Sequence, residues 1–227
     1  MKALLVNTAE TQIQTNPVLQ PGVLAPITRI GGGEVRLNRA FAATTAAWDG
    51  DDQTPSLSFG YNAIHESKTL HRTVEVRNYS NSQRTYSITP TFRYPASDAT
   101  GAVDIDTPSS ISVGPNDSKK FKVEMKTEGG LLPVWTLNGG ARGGDGFRLQ
   151  GVEFDGFITL SDGTETIHLP WHVLPHRAAD VKTSSDKVKL KKGTDDVTLK
   201  NDKGADVALS TMDASSAVLN GPTYSQQ

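Results

Sequence analysis

The sequence predicts a mainly β protein, in which a short helical segment precedes an antiparallel β-sandwich. Hydrophobic and polar residues alternate in six or seven short runs between Pro55 and Pro175, and Leu70–Arg77 is the clearest of them. Turn-forming sequences such as Gly114–Asp117 separate the runs about every ten residues. Helical spacing of apolar residues occurs only in the first fifty residues or so.

Residues 1–49 predict two helices joined by a loop rich in proline and glycine. The apolar run Ala3–Val6 indicates the last turn or two of a helix. A second helix is predicted across Val35–Trp48, because four residues recur there at helical spacing: Leu37, Ala40, Phe41 and Thr44. Since nothing nearby covers this apolar stripe, we expect both helices to pack on a protein body upstream of Met1. Without that body, residues 1–49 are expected to be loosely held or recruited to another surface.

Residues 50–178 predict the sandwich itself. Its strands are expected at Leu70–Arg77, Tyr86–Ile88, Val103–Ile105, Ile111–Val113, Phe121–Met125, Gly156–Leu160 and Thr166–Trp171. Short strands at this spacing are typical of fibronectin type III-like and immunoglobulin-like sandwiches. Pro170 suits an edge position, where no hydrogen-bond donor is required. The glycine-rich stretch Leu131–Gln150 is too long for a hairpin turn, and we expect an ordered insertion there.

Residues 179–227 predict the start of a further β domain. Three strands are indicated, at Val188–Leu190, Val197–Leu199 and Val207–Leu209. Two or three strands cannot bury a face by themselves, so the sequence predicts an incomplete domain.

The composition excludes several classes of function. The 227 residues carry a formal net charge of -2, which provides no basic surface for nucleic acid. The absence of cysteine excludes disulfides, thiolate zinc sites and cysteine nucleophiles. No stretch approaches the roughly 20 apolar residues that a membrane-spanning helix needs. We therefore predict neither a nucleic-acid partner nor a membrane span.

The sequence offers no convincing catalytic or metal-binding arrangement. It lacks a Gly-x-Ser-x-Gly nucleophile motif. A glutamate follows His65 as in a zinc-protease helix, but the next histidine, His71, comes after six residues instead of four, which puts the imidazoles on different helix faces. Asp145, Glu153 and Asp155 carry oxygen ligands without a recognised calcium-binding spacing. We predict no catalytic, cofactor-binding or metal-binding residues.

Three aromatic residues are candidates for contact with a ligand or with another domain: Trp135, Phe147 and Trp171. Such rings stack on sugars and anchor protein interfaces. Packing within the core or between domains is the alternative interpretation. The first two residues lie in the predicted insertion.

Two N-terminal motifs resemble the end of the catalytic domain of subtilisin-like serine proteases (subtilases). Lys2–Ala9 resembles the family's "Lys-Ala-x-Leu-Met-Asn-Thr-Ala" segment, and Gly31–Ala40 resembles its "Gly-x-Gly-x-Val-Asn-x-x-x-Ala" turn and final helix. The two motifs occur in the family's order and at roughly its spacing. The resemblance implies that residues 1–49 are a remnant of a subtilase catalytic domain.

The following residues resemble the fibronectin type III-like domain of large secreted subtilases, the minor extracellular and cell-envelope proteinases. Thr73–Ser80 is similar to their "Thr-Phe-Thr-Val-x-Asn" strand. Phe154–Leu160 and Leu169–Trp171 are similar to their "Gly-x-Ile-x-Leu" hairpin and closing "Ile-Pro-Tyr". Together with the N-terminal motifs, the resemblance covers about four fifths of the chain.

The resemblance implies a non-catalytic C-terminal portion of a secreted or cell-surface serine endopeptidase. The family's three catalytic motifs are missing, so no catalytic role transfers to any residue and the chain by itself is expected to be inactive. Its implied partners are an upstream catalytic domain and the polypeptide substrates of the parent enzyme, without a cofactor. The alternative is a stand-alone fibronectin-like module that binds protein or glycan through Leu131–Gln150.

Overall fold

The computed structural model describes residues 1–133, 152–183 and 199–204. Trp135, Phe147 and most of the predicted insertion lie outside the described residues. The elements, in chain order, are α1 (Lys2–Asn7), β1 (Gln14–Asn16), β2 (Gln20–Leu24), α2 (Ile27–Ile30), α3 (Leu37–Ala42), β3 (Thr45–Asp49), β4 (Leu57–Ile64), β5 (Ser67–Asn78), β6 (Arg84–Phe92), α4 (Pro95–Asp98), β7 (Val103–Asp106), β8 (Ser110–Val113), β9 (Ser118–Glu128), a 3-10 turn (Gly129–Leu131), β10 (Phe154–Ser161), β11 (Thr166–Arg177), β12 (Ala179–Thr183) and β13 (Leu199–Gly204).

Two sheets packed face to face form a mainly β sandwich, as the sequence predicts. The smaller sheet has the strand order β3-β5-β9-β7, and the larger has β4-β11-β10-β6-β8. The prediction of wholly antiparallel sheets is wrong at one pair, because β4 runs parallel to β11. Parallel neighbours require a long connection, and most of the sandwich lies between these two strands in the sequence.

The core lies between the two sheets and receives side chains from every strand from β3 to β11. In β5 buried and more exposed side chains alternate, since Val74 and Val76 are fully buried while Glu75 between them is half-buried. The Tyr86 hydroxyl lies 2.9 Å from the Thr45 hydroxyl, so this buried ring has a polar partner.

Two prolines occupy the larger sheet at positions where their strands have a single neighbour. Pro170 pairs with Phe157 of β10, whereas β4 pairs with β11 only from Trp171 onward. Pro90 of β6 lies beyond the segment that pairs with β8. The prediction that Pro170 occupies an edge position is therefore confirmed, although β11 as a whole is an interior strand. The residue itself still lies where no second strand requires its missing N–H.

The N-terminal helices differ from their prediction. α1 forms where the apolar run indicates a helix. The second predicted helix, Val35–Trp48, is wrong beyond Ala42, because the chain turns extended at Ala43 and continues as β3. β3 pairs with β5 and is an edge strand of the smaller sheet, although it falls within residues 1–49.

The last described strands form a separate two-stranded sheet, in which β12 pairs antiparallel with β13. β13 begins at Leu199, the last residue of one predicted strand. The other two predicted strands, Val188–Leu190 and Val207–Leu209, lie outside the described residues. Among the described helices, none has the length and apolar character needed to cross a bilayer.

Candidate functional site

The junction between the N-terminal segment, residues 1–44, and the sandwich is the candidate functional site. Helix α1 contacts β3 and β11, and α2 contacts β11. The segment therefore lies on the sandwich, which is the second of the two outcomes expected from the sequence. Four polar side chains hold the junction: Asn7, Arg93, Asp155 and Glu165.

Asn7 bridges the open edges of the two sheets. Its side-chain oxygen accepts a hydrogen bond from the Ala47 amide of edge strand β3 at 2.8 Å. Its side-chain nitrogen donates to the His168 carbonyl of β11 at 3.1 Å. The His168 carbonyl precedes the part of β11 that β4 covers, so that edge is free to accept. The buried Asn7 amide thus satisfies two main-chain groups that the sheets leave unpaired.

Arg93 holds the main chain of the segment from the outer face of the larger sheet. Its Nε, Nη1 and Nη2 donate to the carbonyls of Ala25, Thr11 and Ile13 at 2.9, 2.8 and 3.2 Å. The guanidinium also lies 5.9 Å from the centre of the Phe157 ring. Burial lowers the pKa of Arg93 because it disfavours the charged form.

Asp155 of β10 accepts a hydrogen bond from the Ile27 amide, with 2.6 Å between Oδ2 and the nitrogen. Burial raises the pKa of Asp155 to about 6, against the opposing effects of the Ile27 amide and of Arg93. The neighbouring Glu153 accepts a hydrogen bond from the Thr28 hydroxyl at 2.8 Å. Of the three carboxylates considered as calcium ligands, Glu153 and Asp155 are bonded to the segment, and Asp145 lies outside the described residues.

Glu165, in the turn between β10 and β11, holds the end of the segment. Its carboxylate accepts hydrogen bonds from the Thr44 amide and hydroxyl and from the Thr45 hydroxyl, each at 2.9 Å. Arg84 forms ion pairs with Glu165 and with Asp162, both at 2.9 Å. These bonds explain why α3 ends before Thr44, because the two threonines are drawn to the sandwich.

Residues 10–34 form a closed loop within the segment, here named the strap. Glu10 and Glu34 join its ends by two main-chain hydrogen bonds, at 2.8 and 3.0 Å. Gly33 has φ +112°, and a Cβ atom there would lie 2.1 Å from the Glu10 carbonyl oxygen. Only glycine permits this close approach, which accounts for the glycine run of the sequence.

A cleft of about 450 Å³ opens beside α3 at the junction. Arg39, Arg84, Glu165 and His168 contribute its ionisable groups, together with small residues of α3. The two arginines pair with carboxylates, Arg39 with Glu10 at 3.0 Å and Arg84 as above. Each ionisable group of the cleft thus has a polar partner, and Glu165 is the one among them that bonds across the junction.

The outward side of α3 carries exposed apolar residues. Phe41 is 88% exposed and Leu37 is 59% exposed, whereas Ala40 is buried. The apolar stripe predicted for this helix is therefore directed mainly to solvent. Val35, just before α3, adds to this surface at 52% exposure. We name these three residues, Val35, Leu37 and Phe41, the α3 patch.

Of the three aromatic candidates, only Trp171 is described. Its side chain is fully buried in the core, and its indole N–H donates to the Thr91 carbonyl at 3.2 Å. The ring meets Phe92 edge-on, with 5.1 Å between centroids. Trp171 has no exposed surface to offer a ligand, so the ligand-contact interpretation is wrong for this residue. The interpretation of Trp135 and Phe147 stays a prediction.

The histidines of β11 occupy its outer face at intervals of four residues. One nitrogen of each ring lies near a hydroxyl group: His168 is 3.2 Å from the Thr159 hydroxyl and His172 is 3.2 Å from the Ser58 hydroxyl. His176 is 3.3 Å from the Tyr61 hydroxyl. Burial lowers the pKa of each. Within the described ranges, no group of three histidine or acidic residues is arranged to hold a metal ion.

The polar residues of the junction carry only a weak signal in the sequence. Asn7 stands in a recognisable motif, but the motif does not reveal that it bridges two sheets. Asp155 interrupts an apolar strand, and Arg93 directly follows Phe92 at the end of another. A charged residue embedded in apolar sequence indicates a buried polar contact without identifying the partner.

No protein-family model and no curated protein sequence matches the chain. The solved structures similar to it include a FixG-related protein from Vibrio parahaemolyticus, with 12% identity and a TM-score of 0.33 over 58% of this chain and 94% of that one. A PapD-like domain of human CEP192 has 12% identity and a TM-score of 0.33 over 60% of this chain and 87% of that one. The Vibrio cholerae VesB protease has 8% identity and a TM-score of 0.34 over 60% of this chain and 32% of that one. Similarity at this level supports no functional argument.

Proposed function

We propose that this chain is the non-catalytic C-terminal portion of a secreted or cell-surface subtilisin-like serine endopeptidase. In this proposal the N-terminal segment completes the catalytic domain, and the sandwich is fixed against it. The observation that carries the proposal is that the segment has two distinct sides. One side is bonded to the sandwich, and the other presents the α3 patch to solvent.

The bonded side supports a fixed orientation of the sandwich. Asn7 and Glu165 make directional hydrogen bonds to main-chain groups across the junction, at parts of the segment outside the strap. Because hydrogen bonds depend on angle as well as distance, such contacts define how two units sit relative to each other. A sandwich held in this way positions the catalytic domain and restricts which polypeptides reach its cleft.

The exposed side supports a covering body. An apolar helix face normally packs against a partner surface, and an aromatic ring as exposed as Phe41 is unusual on a short amphipathic helix. The same helix lies in the motif that resembles the final helix of the subtilase catalytic domain. Contact with the rest of that domain would bury the α3 patch.

The first test is the genomic sequence upstream of codon 1. The proposal expects a continuous reading frame that encodes the subtilase Asp, His and Ser motifs. A stop codon and a ribosome-binding site directly upstream, with no protease frame, would contradict it.

The second test compares Phe41→Ser in the 227-residue chain and in the full reading frame. In the chain alone, replacing an exposed ring is expected to change the free energy of unfolding by less than about 0.5 kcal/mol. In the full protein the same change should destabilise the catalytic domain by about 1.5–3 kcal/mol, the value of a buried aromatic side chain. Val18→Ser is the matched control, because Val18 is 84% exposed and lies in the strap. Equal effects of both variants in the full protein would refute burial of the α3 patch.

A further inference from the structure

The strap is closed at its base and attached to the sandwich at a small number of points. Because Glu10 and Glu34 are hydrogen-bonded to each other, the residues between them can leave the sheet while α1 and α3 stay in place. The tip of the strap, the turn between β1 and β2, is solvent-exposed, with Val18 at 84% and Leu19 at 79%. Few of its contacts tie it to the sandwich core.

Side chains of the sandwich hold the strap almost entirely by its main chain. Arg93 donates to three strap carbonyls, and the Tyr94 hydroxyl donates to the Leu24 carbonyl at 2.8 Å. Asp155 accepts from the Ile27 amide. Buried strap residues are confined to three consecutive positions, 25–27. Hydrogen bonds therefore dominate the attachment, with a small apolar contribution from Ala25 and Ile27.

The attachment points themselves gain hydration when the strap leaves. Arg93 and Asp155 are 6% and 1% exposed in the closed state. Burial disfavours the charged forms of both groups, as the directions of their pKa changes indicate. Opening returns both charges to water and releases the conformational entropy of the strap. These gains oppose the loss of the hydrogen bonds and therefore lower the free-energy cost of opening.

We propose that the strap, residues 10–34, opens and closes as a unit over the outer face of the larger sheet, with Arg93 and Asp155 as its attachment points. The sandwich stays folded in both states. In the closed state the strap covers Phe157, Arg93 and Asp155, and in the open state it uncovers them. The strap is thus a conformational element within the junction, and it does not depend on the presence of a catalytic domain.

The charges around Asp155 determine how pH acts on this equilibrium. The Arg93 guanidinium and the strap amide favour its ionised form, whereas burial and the Glu153 carboxylate oppose it. Thr28 of the strap bonds to Glu153, and His172 of β11 is the further ionisable group that senses Glu153. As the pH rises from 3.8, the ordinary pKa of an aspartate, to about 6, Asp155 ionises more readily in the open state, and the open state becomes more favourable until the effect levels off above pH 6.

Amide hydrogen exchange by NMR on the intact chain tests the proposal. The Ile27 amide, which bonds to Asp155, and the Arg93 Nε–H, which bonds to the Ala25 carbonyl, should exchange with one common opening constant. That constant should exceed the opening constant of the β5–β9 amides at least 100-fold. It should also increase between pH 5 and pH 7.5 after correction for intrinsic exchange. Exchange of the Ile27 amide and the Arg93 Nε–H only with global unfolding would overturn the proposal.

A charge-matched pair of variants gives a second readout. Arg93→Met removes the three donors and should raise the opening constant of the Ile27 amide at least tenfold. Arg29→Met removes an exposed charge from the strap itself and should leave that constant unchanged. Unaltered exchange in a folded Arg93→Met variant would overturn the role of Arg93. If that variant fails to fold, the pH dependence of exchange in the unmodified chain decides the matter.

Discussion

Replacement of Asp155 by Asn should remove part of the pH dependence of the free energy of unfolding. In the unfolded chain an aspartate has its ordinary pKa of 3.8, whereas burial raises the pKa of Asp155 to about 6 in the folded state. Between these values the folded chain binds a proton that the unfolded chain does not. Raising the pH through this window therefore lowers the free energy of unfolding. The asparagine variant keeps an oxygen for the Ile27 amide and does not titrate.

The magnitude follows from the two pKa values. At 1.36 kcal/mol per pKa unit, the full difference corresponds to about 3 kcal/mol. A change from pH 4 to pH 7 covers most of the titration, so about 2.5 kcal/mol should appear in that interval. The stability of Asp155→Asn relative to the unmodified chain should rise by this amount as the pH increases.

Urea denaturation of both proteins at half-unit pH steps provides the measurement. The half-buried histidines of β11 act in the opposite direction, since partial burial lowers the pKa of His168 and stability is lost as the pH falls below 6.5. That contribution is common to both proteins and cancels in their difference. Asp104→Asn, which removes an exposed carboxylate of the other sheet, controls for the loss of one negative charge. A difference between Asp155→Asn and the unmodified chain that stays constant from pH 4 to pH 7 would refute the reasoning.

Four further results are expected. Asn7→Ala leaves two buried main-chain groups unpaired and should lower the free energy of unfolding by about 2–4 kcal/mol in urea titrations, whereas Lys2→Ala on the exposed side of α1 should have little effect. Gly33→Ala forces a Cβ against the Glu10 carbonyl and should destabilise the closed strap base in hydrogen exchange, more than Gly22→Ala, where the added atom meets open space. The chain alone should not hydrolyse casein. If the binding-module alternative is correct, Trp135→Ala should abolish binding in a glycan and protein array without changing thermal stability.

The sandwich strands are predictable because local alternation and burial agree. In β5 and β9 every second side chain enters the core, and these strands emerge from the pattern alone. β4 escapes the pattern because Gly60 has a positive φ of 68° and the pairing with β11 shifts register there. The alternation of side chains is lost at such an irregularity, so a period-two search does not detect the strand.

The end of α3 could not be predicted from the local sequence for a different reason. Leu37 and Phe41 are correctly spaced for a helix, and a helix forms at both. The continuation to Trp48 fails because Glu165, more than a hundred positions away, binds the amides and hydroxyls of Thr44 and Thr45. A contact this distant in sequence leaves no periodic signal, and it overrides a weak helical preference.

The chemistry of the junction explains why its two sides behave differently. Arg93, Asp155 and Asn7 lose hydration when the segment docks, so each contributes orientation more than net stability. An apolar contact would provide stability with little control of angle, and the α3 patch offers that kind of contact on the opposite side. The segment has directional bonds to the sandwich on one side and an apolar surface on the other. It is therefore suited to fix the orientation of the sandwich relative to a body that covers the α3 patch. The orientation of the sandwich would then depend on the polar residues, and the strength of attachment on Leu37 and Phe41.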